Sequence, residues 1–328
     1  MKILIVSHSA VHMRQILFYE ALSKFAEVIA GGPHSWRNLT MNSVVKENFR
    51  YIGLACTNEG NMVEYVLPDF DDVVERMKPD LIYAQCEPYS RMANIAFMVA
   101  RGNNLPFVIF TWENIHKFEN HGINRLLDNS DGIICGNNDA YKLILTNERK
   151  SRMTILPQVG ISLQHFKPTN AVKTVKVLYV GRNTAEKGVN IIHDVCSKIR
   201  INFKIVSNVE YLELPAVYNE AEIFASLPVE TKSWKEQSGS YTNLEAMACG
   251  LPVITTVCGA IPEYLEDAPV YIRQNGTVNP DTFEKNVLLL LQNNSYYQTR
   301  KELSLEQAKK YSNEKIAEKL FAALNRAF

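Results

Sequence analysis

Short apolar runs rich in Val, Ile and Leu recur along the chain and alternate with segments of helical periodicity. In the first half, residues 3–6 precede a helical pattern over 15–25, residues 81–83 precede another over 90–101, and Phe107–Thr111 and Gly132–Cys135 lead to a third over 139–145. The runs are continuous rather than alternating, which is the pattern of parallel strands covered on both faces by helices. The first half is therefore predicted to be a doubly wound α/β domain.

After the Pro157 to Pro168 stretch and the polar Thr169-Asn170, the pattern restarts. Strands are predicted over Val175–Val180, Phe203–Val206, 222–227, 252–256 and Val270–Ile272, with helices over 189–199 and from about 242. Lys2-Ile3-Leu4-Ile5-Val6 is echoed by Lys176-Val177-Leu178-Tyr179-Val180. The reading is two Rossmann-like domains, 1–168 and 169–312, with a C-terminal helix at 313–328. That helix carries Ile316, Leu320, Phe321 and Leu324 on one stripe and is expected to pack back toward the first domain. Two such domains facing each other would share a cleft at the carboxyl ends of their strands, where open α/β sheets bind ligands.

Composition narrows the ligand. The 328 residues carry 35 Lys and Arg against 35 Asp and Glu, a formal net charge of zero, so the broad attraction that nucleic-acid binders use is missing. No apolar run approaches the roughly 20 residues of a spanning helix, and no signal-peptide pattern opens the chain, so a soluble, cytoplasmic protein is expected. Six scattered cysteines, without a C-x-x-C pair and mostly in apolar runs, read as reduced buried thiols. The basic run Arg149-Lys150-Ser151-Arg152 reads as a solvated face or as a peripheral contact with anionic lipid at the inner membrane face.

The loops after the strands exclude two common chemistries. Ser7-His8-Ser9-Ala10 has no glycine where a dinucleotide fingerprint needs G-x-G-x-x-G, and no Walker A loop is present. In Tyr179-Val180-Gly181-Arg182-Asn183-Thr184-Ala185-Glu186-Lys187-Gly188, a strand turns through a glycine toward a helix with two cations five residues apart. Arg182 and Lys187 either neutralise a diphosphate or are solvated, with Lys187 paired to Glu186. In Trp234-Lys235-Glu236-Gln237-Ser238-Gly239-Ser240-Tyr241-Thr242-Asn243-Leu244-Glu245, a glycine-containing loop enters a helix whose start suits an anion. Thr242 and Glu245 also fit a capping box, which would confine Glu245 to tying off its own helix.

Together the two segments resemble family 4 glycosyltransferases of the GT-B architecture. Gly181-Arg182 with Glu186-Lys187-Gly188 is similar to that family's G-R-x-x-x-E-K-G, and Glu245-Ala246-Met247-Ala248-Cys249-Gly250-Leu251-Pro252-Val253-Ile254 to its E-A-M-A-C-G-x-P-V-I. Gly259-Ala260-Ile261-Pro262-Glu263 resembles its G-x-x-P-E, and Leu214-Pro215-Ala216-Val217-Tyr218 its l-P-x-x-Y. In the first half, Glu87-Pro88-Tyr89-Ser90, Thr111-Trp112-Glu113-Asn114-Ile115 and Pro157-Gln158-Val159-Gly160 through Phe166-Lys167-Pro168 resemble a bacterial and archaeal branch of the family.

The resemblance implies a retaining, metal-independent hexosyltransferase, with no cofactor beyond its nucleotide-sugar donor and a glycan or lipid-linked acceptor. Carried over by position, Arg182 and Lys187 hold the diphosphate and Glu245 accepts hydrogen bonds from the ribose. The nucleotide-sugar set comprises Gly181, Arg182, Lys187, Glu236, Gln237, Ser238, Gly239, Thr242 and Glu245, of which Arg182, Lys187 and Glu236 are the catalytic candidates. His8, Glu87, Glu113 and Asn114 are the acceptor or sugar-proximal candidates. The chain departs from the family in three places, one of them the family's first-domain histidine, in whose place Glu113 or Asn114 stands. In the family's E-x7-E the position eight before Glu245 is Gln237, so Glu236 takes the first carboxylate role only if the Ser238-Gly239-Ser240 loop absorbs one residue. The family's glycine pair near the donor phosphate is replaced by Ser9-Ala10-Val11-His12-Met13-Arg14. A GT-B sugar-nucleotide epimerase and an inactive sugar-nucleotide binder are the alternative readings.

Overall fold

A computed structural model of the chain describes residues 1–115, 121–273 and 276–328. It divides into two compact units, Met1–Gly160 with Asn313–Phe328, and Ile161–Ser312.

Among the described residues, the first unit is built on an eight-stranded sheet in the order Met153–Ile155, Gly132–Cys135, Phe107–Thr111, Leu81–Ala84, Lys2–Val6, Glu27–Pro33, Phe49–Leu54 and Val44–Val45. Every neighbouring pair is parallel except the last, where Val44–Val45 runs antiparallel to Phe49–Leu54. All residues of Leu81–Ala84, Phe107–Thr111 and Gly132–Cys135 are buried, which is why no polar alternation shows in these runs. The strand order reverses between Lys2–Val6 and Leu81–Ala84, so the topological switch point lies at their carboxyl ends. Polar side chains gather there. Ser7 and Ser9 share a hydrogen bond of 2.8 Å, Gln15 donates to Ser9 at 3.1 Å and to the Gln158 side chain at 3.3 Å, and Tyr19 donates to Gln85 at 2.5 Å. Gln85 in turn donates to the Gln158 carbonyl at 3.4 Å, which ties the segment around Gln158 to the end of the strand Leu81–Ala84.

Four strands of this sheet, Glu27–Pro33, Val44–Val45, Phe49–Leu54 and Met153–Ile155, and the helix Phe70–Met77 were not among the predicted elements. Gly31-Gly32-Pro33 closes the first of these strands with residues that read as a turn, and Phe49–Leu54 mixes exposed and buried positions near the sheet edge. The last helix, Asn313–Ala327, belongs to this unit and lies along Met13–Leu22. It buries Ile316, Ala317, Leu320 and Leu324, stacks Phe321 on Phe25 at 5.9 Å and sends Arg326 to Thr154 at 2.8 Å.

The second unit has a parallel five-stranded sheet in the order Phe203–Val206, Val175–Val180, Ala221–Ser226, Val253–Thr256 and Val270–Ile272. Successive residues feed opposite faces. Leu178, Phe224 and Val253 join a core with Tyr218, Leu244 and Met247, while Val177, Ile223 and Ile254 join another with Ile192, Phe283 and Leu290. Residues 161–168, placed at the end of the first domain by the sequence pattern, lie in this unit. The Ile161 N–H donates to the Tyr311 carbonyl at 2.8 Å, and the buried Phe166 ring sits 5.3 Å from Tyr211 and 6.0 Å from Tyr218.

All six cysteines are free thiols, and burial pushes Cys86, Cys135, Cys196, Cys249 and Cys258 up to about 12. Among the described residues no helix is long and apolar enough to cross a membrane.

The basic run at 149–152 is a correction to the sequence reading. Arg149 is only 5 % exposed and donates to Asp128 at 2.7 Å, Asn124 at 3.0 Å and the Ile144 carbonyl at 3.1 Å. Arg152 donates to the Ser130 carbonyl. Two of the three cations are internal fasteners rather than a free basic face. Replacing Arg149 by Ala is expected to lower the unfolding free energy by about 2 kcal/mol, because charge-assisted bonds are lost and the Ile144 carbonyl loses a partner. Chemical denaturation checks this, and binding to anionic vesicles should be unchanged in the same variant.

Candidate functional site

In the second unit, the loop after Val175–Val180 and the loop before the helix Tyr241–Ala248 bring two of the expected residues together. The first loop is fastened at its start by the Tyr179 hydroxyl, which donates to the Arg182 carbonyl at 2.7 Å. Its end is fixed at Gly188, in the left-handed region at φ +67°, where a Cβ would lie 2.1 Å from the Leu227 carbonyl oxygen. Only glycine permits that approach. The Val229 N–H also donates to the Glu186 carbonyl at 2.8 Å, so the Ala185–Lys187 turn is pinned beside the end of Ala221–Ser226.

Lys187 is thereby aimed at Glu236. Its ammonium pairs with Glu236 Oε1 and lies 4.7 Å from the centroid of the Trp234 ring. The two charged side chains are 15 % and 10 % exposed, which keeps solvent screening of the pair low. The partner of Lys187 is thus Glu236, not the adjacent Glu186. Glu236 is itself held through its backbone: its carbonyl accepts from the Ala260 N–H at 2.9 Å, and Gly259, at φ +50°, would bring a Cβ to 2.1 Å from the same oxygen. The G-R-x-x-x-E-K-G and G-x-x-P-E segments serve here as the backbone clamps of one ion pair.

The remaining nucleotide-side candidates are arranged around the following helix. Gln237 is half-buried, Ser238 is buried and accepts from the Ser240 N–H at 3.2 Å, and Gly239 is buried against Tyr264. The helix starts at Tyr241 with Ser240 as its N-cap residue, in the left-handed half of backbone space at φ 56° and without a side-chain cap bond. Thr242 lies inside the first turn and bonds to Ser240 Oγ at 2.9 Å, so the Thr242 to Glu245 capping box does not form. Glu245 is fully buried and accepts from the Tyr218 hydroxyl at 2.9 Å, also fully buried. Arg182 and Gly181 stand at the mouth of their loop, with the Arg182 side chain exposed.

In the first unit, Glu87 and Glu113 line one pocket. Glu87 accepts from Thr111 Oγ1 at 2.6 Å and from the Trp112 N–H at 3.0 Å, and Glu113 accepts from the Tyr89 hydroxyl at 3.2 Å. The neighbouring Asn114 is buried. His8 stands apart from these, 4.9 Å from Trp36 and 5.4 Å from Tyr65 between ring centroids. The sequence reading missed Trp36, Tyr65 and Tyr89 as partners of site residues, and Trp234 as the ring beneath Lys187. Tyr218 was visible in the l-P-x-x-Y segment, although nothing local ties it to Glu245, 27 positions on.

Among the described residues, no group of three or more His, Cys, Asp or Glu side chains is placed to hold a metal ion.

Burial pushes the His8 imidazole down to about 4, and the positive charges of His12 and Arg37 act in the same direction. Its Nδ1 is buried and has no hydrogen-bond partner among the described residues. The native state therefore holds a neutral ring down to about pH 4, whereas the unfolded chain protonates near 6.5. Stability from this site is complete above pH 6.5 and is lost as pH falls toward 4. In His8→Phe, which preserves an aromatic ring in the cluster, the decline of unfolding free energy between pH 6.5 and 4 should be shallower than in the parent.

Residues 158–293 match the family described as glycosyl transferases group 1. No protein of curated function matches the chain by sequence. Among solved structures, the chain is similar to sucrose-phosphate synthase from Thermosynechococcus elongatus, with a TM-score of 0.72 at 14 % identity over 99 % of this chain and 98 % of that one. It is also similar to Anabaena HepE in complex with UDP-glucose, with a TM-score of 0.71 at 12 % identity over 99 % of both chains. A glycosyltransferase from Rickettsia africae gives 0.69 at 13 % identity over 99 % of this chain and 98 % of that one. The chain has the GT-B fold, and its residues 158–293 are similar to the glycosyl transferases group 1.

Proposed function

We propose that this protein is a retaining glycosyltransferase that moves a hexose from a nucleoside-diphosphate sugar to a hydroxyl of a glycan or lipid-linked acceptor, without a metal ion. The observation that carries the reading is the clamped Lys187–Glu236 pair over Trp234. An ammonium has three donors. With one spent on Glu236, Lys187 still has N–H groups for a diphosphate oxygen, and the pair fixes its direction. Arg182, exposed on the same loop, supplies a second, mobile cation for the same leaving group. Glu236 can accept from a hydroxyl of the donor sugar while it holds Lys187, which would couple recognition of the sugar to positioning of the charge that stabilises its departure.

In the reaction, the anomeric C–O bond breaks, the electron pair leaves with the diphosphate, and the acceptor oxygen attacks the same face while its proton passes to the departing diphosphate oxygen. The protein's part is positioning and electrostatic stabilisation. The similarity to HepE, whose structure holds UDP-glucose, supports a uridine diphosphate sugar as the first donor to test. Glu245 is proposed as the ribose contact. Its complete burial under Tyr218 means that ribose hydroxyls reach it only when a neighbouring side chain gives way.

Lys187→Ala and Arg182→Ala should each weaken UDP binding roughly 10- to 100-fold, as expected for loss of a charge-assisted contact of about 1.5–3 kcal/mol. Titration calorimetry measures this, and parental affinity in both variants would remove the diphosphate assignment. Donor turnover should survive EDTA, and rescue of a chelated enzyme by magnesium or manganese would overturn metal independence. Transfer to an acceptor separates this reading from an epimerase, which converts the donor alone, and from a binder, which releases it unchanged.

Glu245→Gln discriminates ribose recognition from a structural bond to Tyr218. A ribose contact predicts weaker UDP binding with little loss of thermal stability, since glutamine keeps one oxygen for the tyrosine. A purely structural role predicts unchanged UDP affinity, with destabilisation confined to Glu245→Ala and Tyr218→Phe.

A further inference from the structure

Residues 237–240 run from Glu236, the partner of Lys187, to the helix Tyr241–Ala248, and one peptide plane in that stretch is held at both ends. The Gly239 carbonyl accepts from Asn243 Nδ2 at 3.1 Å, and the Ser240 N–H, the other half of the same plane, donates to Ser238 Oγ at 3.2 Å. Asn243 is fully buried, and its Oδ1 has no hydrogen-bond partner among the described residues. Its amide thus accepts the cost of a desolvated oxygen to make the bond to Gly239. The plane needs that hold. Ser240 sits at φ 56°, which is costly for a residue with a Cβ. A half-turn of the Gly239-Ser240 peptide would return Ser240 to negative φ, and the matching rotation falls on the ψ of Gly239, which has no Cβ to oppose it. The turned plane would present the Gly239 oxygen to Ser238 in place of the Ser240 N–H.

We propose that Asn243 is a positioning residue that keeps this plane unturned, and thereby keeps the Ser238 hydroxyl available as a hydrogen-bond donor to the diphosphate of the sugar nucleotide. The inference rests on the transferase reading and adds to it a contact and the residue that orients that contact. A hydroxyl has one proton and two lone pairs. One lone pair of Ser238 is taken by the Ser240 N–H, while its proton has no acceptor among the described residues. A diphosphate only accepts hydrogen bonds, so it is a ligand group suited to that proton. Ser238 also stands two positions from Glu236, whose partner Lys187 is assigned to the same diphosphate. In the turned plane the Gly239 carbonyl would take the proton, and the hydroxyl would be spent inside its own loop. Asn243 touches neither the ligand nor the reacting atoms, and acts only through the peptide it holds.

Threonine and valine at position 243 separate the bond from the bulk. The two are nearly isosteric, and a threonine hydroxyl in a helix reaches the carbonyl four residues back, which here is that of Gly239. In the full chain without ligand, hydrogen exchange at the Ser240 amide should be faster in Asn243→Val and parental in Asn243→Thr. UDP binding by calorimetry should weaken roughly tenfold in Asn243→Val and in Ser238→Ala, and stay near the parental value in Asn243→Thr. The double variant of Asn243→Val with Ser238→Ala should bind no more weakly than either single one. An asparagine that merely supports the fold does not give this result, because its loss and that of the serine contact would add. Parental UDP affinity in Ser238→Ala, additive losses in the double variant, or equal weakening in Asn243→Thr and Asn243→Val would each overturn the proposal. A parent that binds UDP while these variants match it loses this proposal alone, whereas a parent that binds no UDP loses the donor reading and this contact together.

Discussion

A parallel strand covered on both faces has no side on which to carry chemistry. In the second unit the strand interiors are taken up largely by apolar packing, with Val177 and Leu178, or Ile223 and Phe224, feeding two separate cores. Polar function is thereby pushed to the loops beyond the carboxyl ends, and those loops must be held rigid by something other than a hydrophobic face. Each candidate site answers this with short-range backbone devices. Glycines let one loop touch the carbonyl of another, hydroxyls tie loop carbonyls, and charged side chains reach across once their backbones are fixed.

The ion pair of Lys187 and Glu236 shows how far such fixing goes. Neither residue is positioned by its own helix. Lys187 stands where it does because Gly188 meets Leu227, and Glu236 because Gly259 and Ala260 meet its carbonyl. The pair is thus sensitive to residues that never touch it. Because it is little exposed, removal of either charge leaves the other poorly solvated, which ties the local integrity of the loop to the same two groups that serve the proposed chemistry.

The repeating strand and helix pattern, the two-domain organisation and the loops that carry Arg182, Lys187, Glu236 and Glu245 were legible in the sequence, because they depend on local periodicity and on contiguous motifs. What escaped was set by distance along the chain. Trp234 beneath Lys187, Tyr218 on Glu245 and Trp36 against His8 are pairings that no local window contains. The basic run at 149–152 misled for the same reason, since its acceptors Asp128 and Ser130 precede it by about twenty positions. Residues 161–168 were placed differently, at the end of the first domain because the strand pattern restarts after Pro168, while the decisive feature was Phe166 among Tyr211 and Tyr218.

The return of Asn313–Ala327 to the first unit has a consequence for biosynthesis. The helix Met13–Leu22 is made well before the stripe of Ile316, Leu320 and Leu324 that covers it, which emerges only after the whole of residues 161–312 has been translated. At about 5–20 residues per second, that interval is roughly eight to thirty seconds. During it the nascent first unit carries an uncovered apolar helix face. The early unit is therefore the one exposed longest to chaperones and to misassembly.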